Sequence, residues 1–113
     1  MADLLVDTDV CIDHLEGTTR LPGLRNRLAY SVVTRAELLA GPVGQHDAAR
    51  RLLAPLREIA IDRRIAEQAA AIRREAGVRL PDALVAATAL VQGLMLHTRN
   101  HRDFRKVPGL RLR

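Results

Sequence analysis

Aromatic side chains are nearly missing from this chain: Tyr30 and Phe104 are the only two, and there is no tryptophan. Nucleic-acid modules that stack bases on aromatic platforms are therefore excluded, and the core has to be aliphatic. Cysteine is as scarce. Cys11 stands alone, which rules out an internal disulfide or a cysteine zinc cluster; between Val10 and Ile12 it reads as a small buried hydrophobe. Lysine is reduced to Lys106, so the rest of the eighteen Lys and Arg residues are arginine. The opening MADLLVDTDV carries acidic residues and no basic stretch, so neither a signal peptide nor a membrane-spanning segment is expected there. A soluble, cytoplasmic protein without a membrane role is the expectation.

What is present suits one compact domain over residues 1–113. At this length folding buries roughly two-thirds of the extended-chain surface, and the 48% hydrophobic content is enough to fill one core. The net charge of +5 favours polyanionic partners, nucleic acid or an acidic protein. A general use of arginine for solubility would give the same bias, but it would not remove the attraction to phosphate. No internal repeat, linker or low-complexity segment interrupts the chain.

Hydrophobic patterning alternates strands with helices. Residues 4–7 read as a buried strand ended by an acidic turn, and 9–15 as a helix stopped by Gly17. Residues 18–27 are irregular or weakly helical, broken at Pro22-Gly23; 28–32 form a second strand, and 33–40 a helix ended by Gly41-Pro42. An amphipathic helix with Arg50 and Arg51 follows at 46–56, then a short strand at 58–61. Asp62 caps a helix that runs to about Ala76, with Gly77 behind it. Pro81 opens an almost wholly apolar helix to Gln92, which should be central. Residues 94–98 are a further strand, 99–108 a loop, and 110–112 a last edge strand. This order implies an α/β fold with a mainly parallel sheet covered on both faces.

In such sheets ligands gather beyond the carboxyl ends of the strands, and the acidic residues there carry the information. Asp7 and Asp9 lie where the first strand ends; Asn100 and Asp103 follow the LMLHT strand; Asp82 is in the first turn of the apolar helix; Glu37 is inside the helix after the second strand. Each has an ordinary structural reading. Asp9 could cap its helix, Asp82 could complement a helix dipole, Thr34-x-x-Glu37 fits a capping box, and Asp103 could face water. Together they say more, because converging carboxylates repel one another unless a cation lies between them. All-oxygen ligands select a hard ion, Mg²⁺ or Mn²⁺. In a basic protein that site suits phosphodiester cleavage: the ion lowers the pKa of a water, holds the phosphate and steadies the leaving oxygen. Arg99 and Arg102 are the nearby arginines expected to bind the flanking phosphates of the nucleic acid. The histidines add little. His14 is expected on a helix surface, His46 near a helix start, and His97 and His101 are separated by a strand end and a loop.

LLVDTDVCIDHLEG resembles the opening of PIN-domain toxins of the VapC type. SVVTRAELLAG resembles their second block, LPDALVAATAL their third, and LMLHTRNHRDFRKVPGLRL their closing strand and loop. Any one block is weak; four in family order over nearly the whole chain are specific. The resemblance implies a PIN-like α/β domain with a central sheet of four to five short strands flanked by helices on both faces. It makes Asp7, Glu37 and Asp82 the catalytic, metal-binding acids, with Asp9 an auxiliary polar residue and Thr8 and Thr98 supporting the site by hydrogen bonds. Family members place the last acid either where Asn100 or where Asp103 stands. Because Asn100 is neutral, Asp103 is taken as that acid, with Asn100 as a ligand or water-positioner in its own right. The resemblance further implies one or two Mg²⁺ or Mn²⁺ ions, cleavage of structured RNA (tRNA, rRNA or mRNA) and a homodimer. It also implies a cognate VapB-like antitoxin that obstructs the site, often with an arginine, in a heterotetramer or larger assembly. The segment from Gly41 to Asp62 is shorter than usual, which bears on the dimer or antitoxin surface.

Three other readings start from the same residues. Asp7-x-Asp9 after a hydrophobic strand is also found in haloacid-dehalogenase phosphatases, but these need a cap or longer core and a late lysine, whereas Lys106 lies in a terminal loop. A receiver-like phosphoacceptor domain would need its acceptor aspartate on a central strand and a lysine after a later one. A catalytically silent PIN fold, acting only by binding RNA or a protein, would be marked by loss of the acids.

Overall fold

The computed structural model describes residues 2–113. Four short strands, β1 (Leu4–Val6), β2 (Leu28–Ser31), β3 (Arg57–Ile59) and β4 (Met95–His97), form one sheet in the order β3-β2-β1-β4. All three pairings are parallel. Six α-helices accompany them: α1 (Thr8–Glu16), α2 (Val32–Leu39), α3 (His46–Leu53), α4 (Arg63–Ala76), α5 (Leu80–Gln92) and α6 (His101–Phe104). Among the described residues no helix is long and apolar enough to cross a membrane.

Side chains on successive strand residues point to opposite faces, and the core divides accordingly. Leu4, Val6, Leu28 and Tyr30 pack with Val10 and Cys11 of α1, Leu38 of α2 and Leu52 and Leu53 of α3. Leu5, Ala29 and Leu96 pack on the other side with Ile65 and Ile72 of α4, the buried face of α5, and Phe104. The sheet is thus covered on both faces. Four fully buried alanines, Ala83, Ala86, Ala87 and Ala89, let α5 lie close to the sheet, which explains why that helix is apolar nearly all round.

The chain moves outward from β1 to β2 and β3, then crosses back so that β4 lies on the other side of β1. That reversal opens a crevice beyond the carboxyl ends of β1 and β4, where Asp7 and Thr98 stand.

Several local expectations need correction. Helix α1 starts at Thr8 and is capped by Asp7, not Asp9: the Asp7 carboxylate accepts from the Thr8 N–H. Helix α2 starts at Val32, where Ser31 accepts from the Val33 N–H. This leaves Thr34 and Glu37 inside the helix and not in a capping box. The 99–108 segment is not all loop, because Asn100 Oδ1 accepts from the Asp103 N–H and nucleates α6. The last edge strand shrinks to a single parallel bridge, Leu96 to Leu112. His14 is not a plain surface residue; its Nδ1 accepts from the Leu21 N–H and pins the segment after α1.

Candidate active site

The residues that directly follow β1 and β4, Asp7 and Thr98, bring oxygen donors to the crevice. Asp7 directly follows β1, and its need to cap α1 turns its carboxylate toward the start of that helix, where it is 6% exposed. Oδ1 accepts from the Thr8 N–H at 2.8 Å, and Oδ2 accepts from the Thr98 hydroxyl at 2.8 Å. Asp9, in the first turn of α1, accepts from the Arg99 N–H through Oδ2 at 3.1 Å. The Thr98 hydroxyl is also 3.2 Å from that oxygen, and it accepts from the Asn100 N–H at 3.1 Å. Thr98 therefore has one proton to offer two carboxylates. Asp9 Oδ1 is buried and has no hydrogen-bond partner among the described residues.

Glu37 comes from α2. Its Oε1 lies 2.6 Å from the Thr8 hydroxyl, which is itself 3.0 Å from the hydroxyl of the fully buried Thr34. A proton chain from Thr34 through Thr8 thus fixes the Glu37 carboxylate. Asp82 sits in the first turn of α5.

Asp7, Thr8, Asp9, Glu37, Asp82 and Asn100 line one open cleft of about 290 Å³, together with Ile12 and Arg79. Asp103 stands back from it: Asn100 Nδ2 donates to its Oδ2 at 3.0 Å, and Lys106 Nζ lies 3.8 Å from its Oδ1. Against the expectation that Asp103 is the last acid of the site, it is Asn100 that reaches the cleft lining, with Asp103 hydrogen-bonded to its amide. Arg99 and Arg102 do not line the cleft. Arg99 Nε instead pairs with the buried Asp13 carboxylate at 2.9 Å. His46 faces the Gly41 carbonyl, and His97 and His101 both face the Arg113 carbonyl, so all four histidines are engaged elsewhere.

Sequence reasoning missed Arg79 and Ile12 in the lining. The available signal was spacing, since Arg79 and Asp82 lie three apart across the start of α5 and so share a side of the helix.

The acids act on one another electrostatically. Burial first, and then the nearby Asp9 charge, push the Asp7 carboxyl up to about 7, despite the hydrogen bonds from Thr98 and Thr8. Asp82 is likewise raised, by burial and then by Glu37, with smaller contributions from Asp103 and Asp9 and an opposing one from Arg79. Cys11, behind Asp7, is pushed up to about 12 by burial, so its thiol is inert. Because Thr98 holds the buried Asp7 carboxylate, Thr98→Val, nearly the same shape, should destabilise the metal-free protein by about 1–3 kcal/mol. Urea midpoints of the two proteins would measure this, and equal midpoints would remove Thr98 from the account of Asp7.

Among the described residues no three His, Cys, Asp or Glu side chains are gathered tightly enough to enclose an ion on their own. What the cleft offers is carboxylates from three elements around open space, and a buried Asp9 oxygen lacking a partner. That suits a hard cation such as Mg²⁺, which keeps several waters and takes only one or two carboxylates directly.

A PIN domain family model matches residues 4–110. No curated protein matches the chain. Among solved structures, a toxin–antitoxin complex from Klebsiella pneumoniae contains a chain 32% identical, with a TM-score of 0.78 over 96% of this chain and 95% of that one. VapBC-5 from Mycobacterium tuberculosis, a member of the VapBC family of toxin–antitoxin systems, is 29% identical with a TM-score of 0.71, covering 100% and 97%. A DNA-bound VapBC from Salmonella typhimurium shares the fold with a TM-score of 0.85, at 24% identity over 100% and 98%. The chain belongs to the PIN-domain family. Within that family its similarity runs to the VapC type.

Proposed function

We propose that the protein is the toxin of a VapBC-type pair, an endoribonuclease that hydrolyses RNA phosphodiester bonds with Mg²⁺ or Mn²⁺. The observation that carries this reading is the convergence of Asp7, Glu37 and Asp82, from three separate elements, on one cleft of a protein with net charge +5. Carboxylates that raise one another's pKa are costly to assemble, and a bound cation removes that cost.

Asp7, Glu37 and Asp82 would hold the ion, with Asn100 at the fourth position and Asp103 steadying it. When bound, the ion supplies a water of lowered pKa and charge stabilisation at the phosphate and leaving oxygen. The protein's part is to fix the ligands in advance. Thr8 orients Glu37, Thr98 orients Asp7, and the Arg99 N–H orients Asp9. Asp7 must shed its carboxyl proton to serve as a charged ligand, and with a pKa of about 7 it does so near neutral pH.

The relatives crystallised as toxin–antitoxin complexes support a VapB-like antitoxin as the partner, one that covers the acidic cleft with a basic side chain. A homodimer, joined with the antitoxin into a heterotetramer or larger assembly, goes with the same reading, as does action on tRNA, rRNA or mRNA in the cytoplasm.

Antitoxin-free protein incubated with total tRNA and rRNA should give discrete fragments in Mg²⁺ or Mn²⁺ and none in EDTA. Asp82→Asn should lose those fragments; if it cuts fully, the assignment of the site is wrong. Intact RNA in every metal would favour a PIN fold that binds RNA or protein without cutting.

A further inference from the structure

We infer that Arg79 is the residue of this chain that receives the RNA phosphate at the cleft, and that Arg99 is a clasp holding the site together; this rests on the ribonuclease reading above. Four of the cleft's lining side chains are acids, Asp7, Asp9, Glu37 and Asp82, and Arg79 is the one cation among them. A phosphodiester entering that space meets repulsion from every charged wall but one. Guanidinium suits the remaining wall, because its fork of N–H donors pairs with two phosphate oxygens at once.

Arg79 is also free to act. It is exposed, and among the described residues its side chain makes no ion pair or hydrogen bond. It immediately precedes α5, whose buried face fixes its position relative to Asp82. Its charge already reaches Asp82, where it opposes the upward push from burial and Glu37.

Arg99 is placed otherwise. Its Nε is 2.9 Å from the carboxylate of Asp13, a residue only 7% exposed. Its backbone N–H is bound to Asp9. It therefore ties the segment after β4 to α1 at two points, Asp9 and Asp13. Releasing it to bind RNA would leave Asp13 buried without its partner.

Two variants separate these roles. Binding of fluorescently labelled bulk tRNA is measured in EDTA, where nothing is cut, over a range of salt, and cleavage is then measured in Mg²⁺. Arg79→Gln should bind roughly ten- to a hundredfold more weakly, with a salt slope smaller by about one phosphate contact. Its KM should rise more than its kcat falls, and its melting temperature should hold; Arg79→Lys should recover the salt slope and part of the affinity. Arg99→Gln should melt at a lower temperature and keep the wild-type salt slope. Wild-type affinity, salt slope and KM in Arg79→Gln would overturn the inference while leaving the ribonuclease reading intact. Wild-type protein that neither binds nor cuts RNA would overturn that reading too.

Discussion

Asp7→Asn should lower RNA cleavage by at least about 10²–10³-fold, the range seen when a group acting directly at the transition state is removed, and should stabilise the metal-free protein at pH 8. The two effects have one cause. In the folded chain burial and Asp9 raise the Asp7 carboxyl from its ordinary 3.8 to about 7. Between those values the folded protein keeps the proton and the unfolded chain has released it, so folding becomes less favourable as pH rises from about 4 to about 7 and levels off above. With a shift of this size the change is on the order of 4 kcal/mol. An asparagine carries no charge to desolvate. Its oxygen can still accept from the Thr8 N–H, and its amide can donate to the Thr98 oxygen, freeing the Thr98 proton for Asp9. Urea unfolding in EDTA at pH 5 and pH 8 would test this. The variant should exceed the parent at pH 8 and lose most of the parent's pH slope; a parent more stable at pH 8 than at pH 5 would refute the electrostatic account of the cleft.

Much of this architecture was legible because parallel sheets buried on both faces write themselves as short apolar runs. LLV, LAYS and MLH each became a strand, and the apolar stripe from Leu80 to Gln92 became the helix that packs against the sheet and α4. Gly17, Gly77 and Gly93 end their helices in the left-handed conformation that favours glycine. Asp7 and Glu37 were legible as candidates because one ends a strand and the other lies in the helix that follows one, and Asp82 because it is the lone acid in the first turn of an otherwise apolar helix.

The misses share a physical origin. Helix α6 has four residues, too few for a periodic pattern, and its existence depends on an asparagine side chain closing on the backbone three residues later. The caps of α1 and α2, Asp7 and Ser31, fall within what the patterning assigned to strands, because a capping side chain and a strand-end residue look alike until the chain turns. The largest change concerns Arg99. Sequence shows its charge and its nearness to the acids, but Asp13, its partner, lies on α1 at the other end of the chain. Arg79, by contrast, stands just before the block that holds Asp82, and apart from its spacing from Asp82 it is the packing of α5 beside α2 that reveals it.

The other large effect is one of packing, and it acts on the same loop without touching its chemistry. Phe104 is fully buried at the end of α6, in the cluster formed by Leu5, Leu96, Val107 and the inner faces of α4 and α5. It is the single phenylalanine in the chain, and the cluster on its side of the sheet is otherwise made of aliphatic and alanine side chains, none of comparable size. Phe104→Ala should therefore cost about 3–5 kcal/mol, a large part of the 5–15 kcal/mol that typically holds a domain of this kind together. Phe104→Leu keeps most of the volume and should cost clearly less. Because the Phe104 N–H donates to the Asn100 carbonyl, and Asn100 lines the cleft, the anchor also sets where that side chain stands. Denaturant midpoints would order the three proteins as wild type, leucine, alanine. Cleavage per folded molecule in the leucine variant should stay close to wild type, since it keeps every acid and hydroxyl of the site. A leucine variant that folds as stably as the parent yet fails to cut would mean that Phe104 positions α6 through its shape, and not merely through the volume it fills.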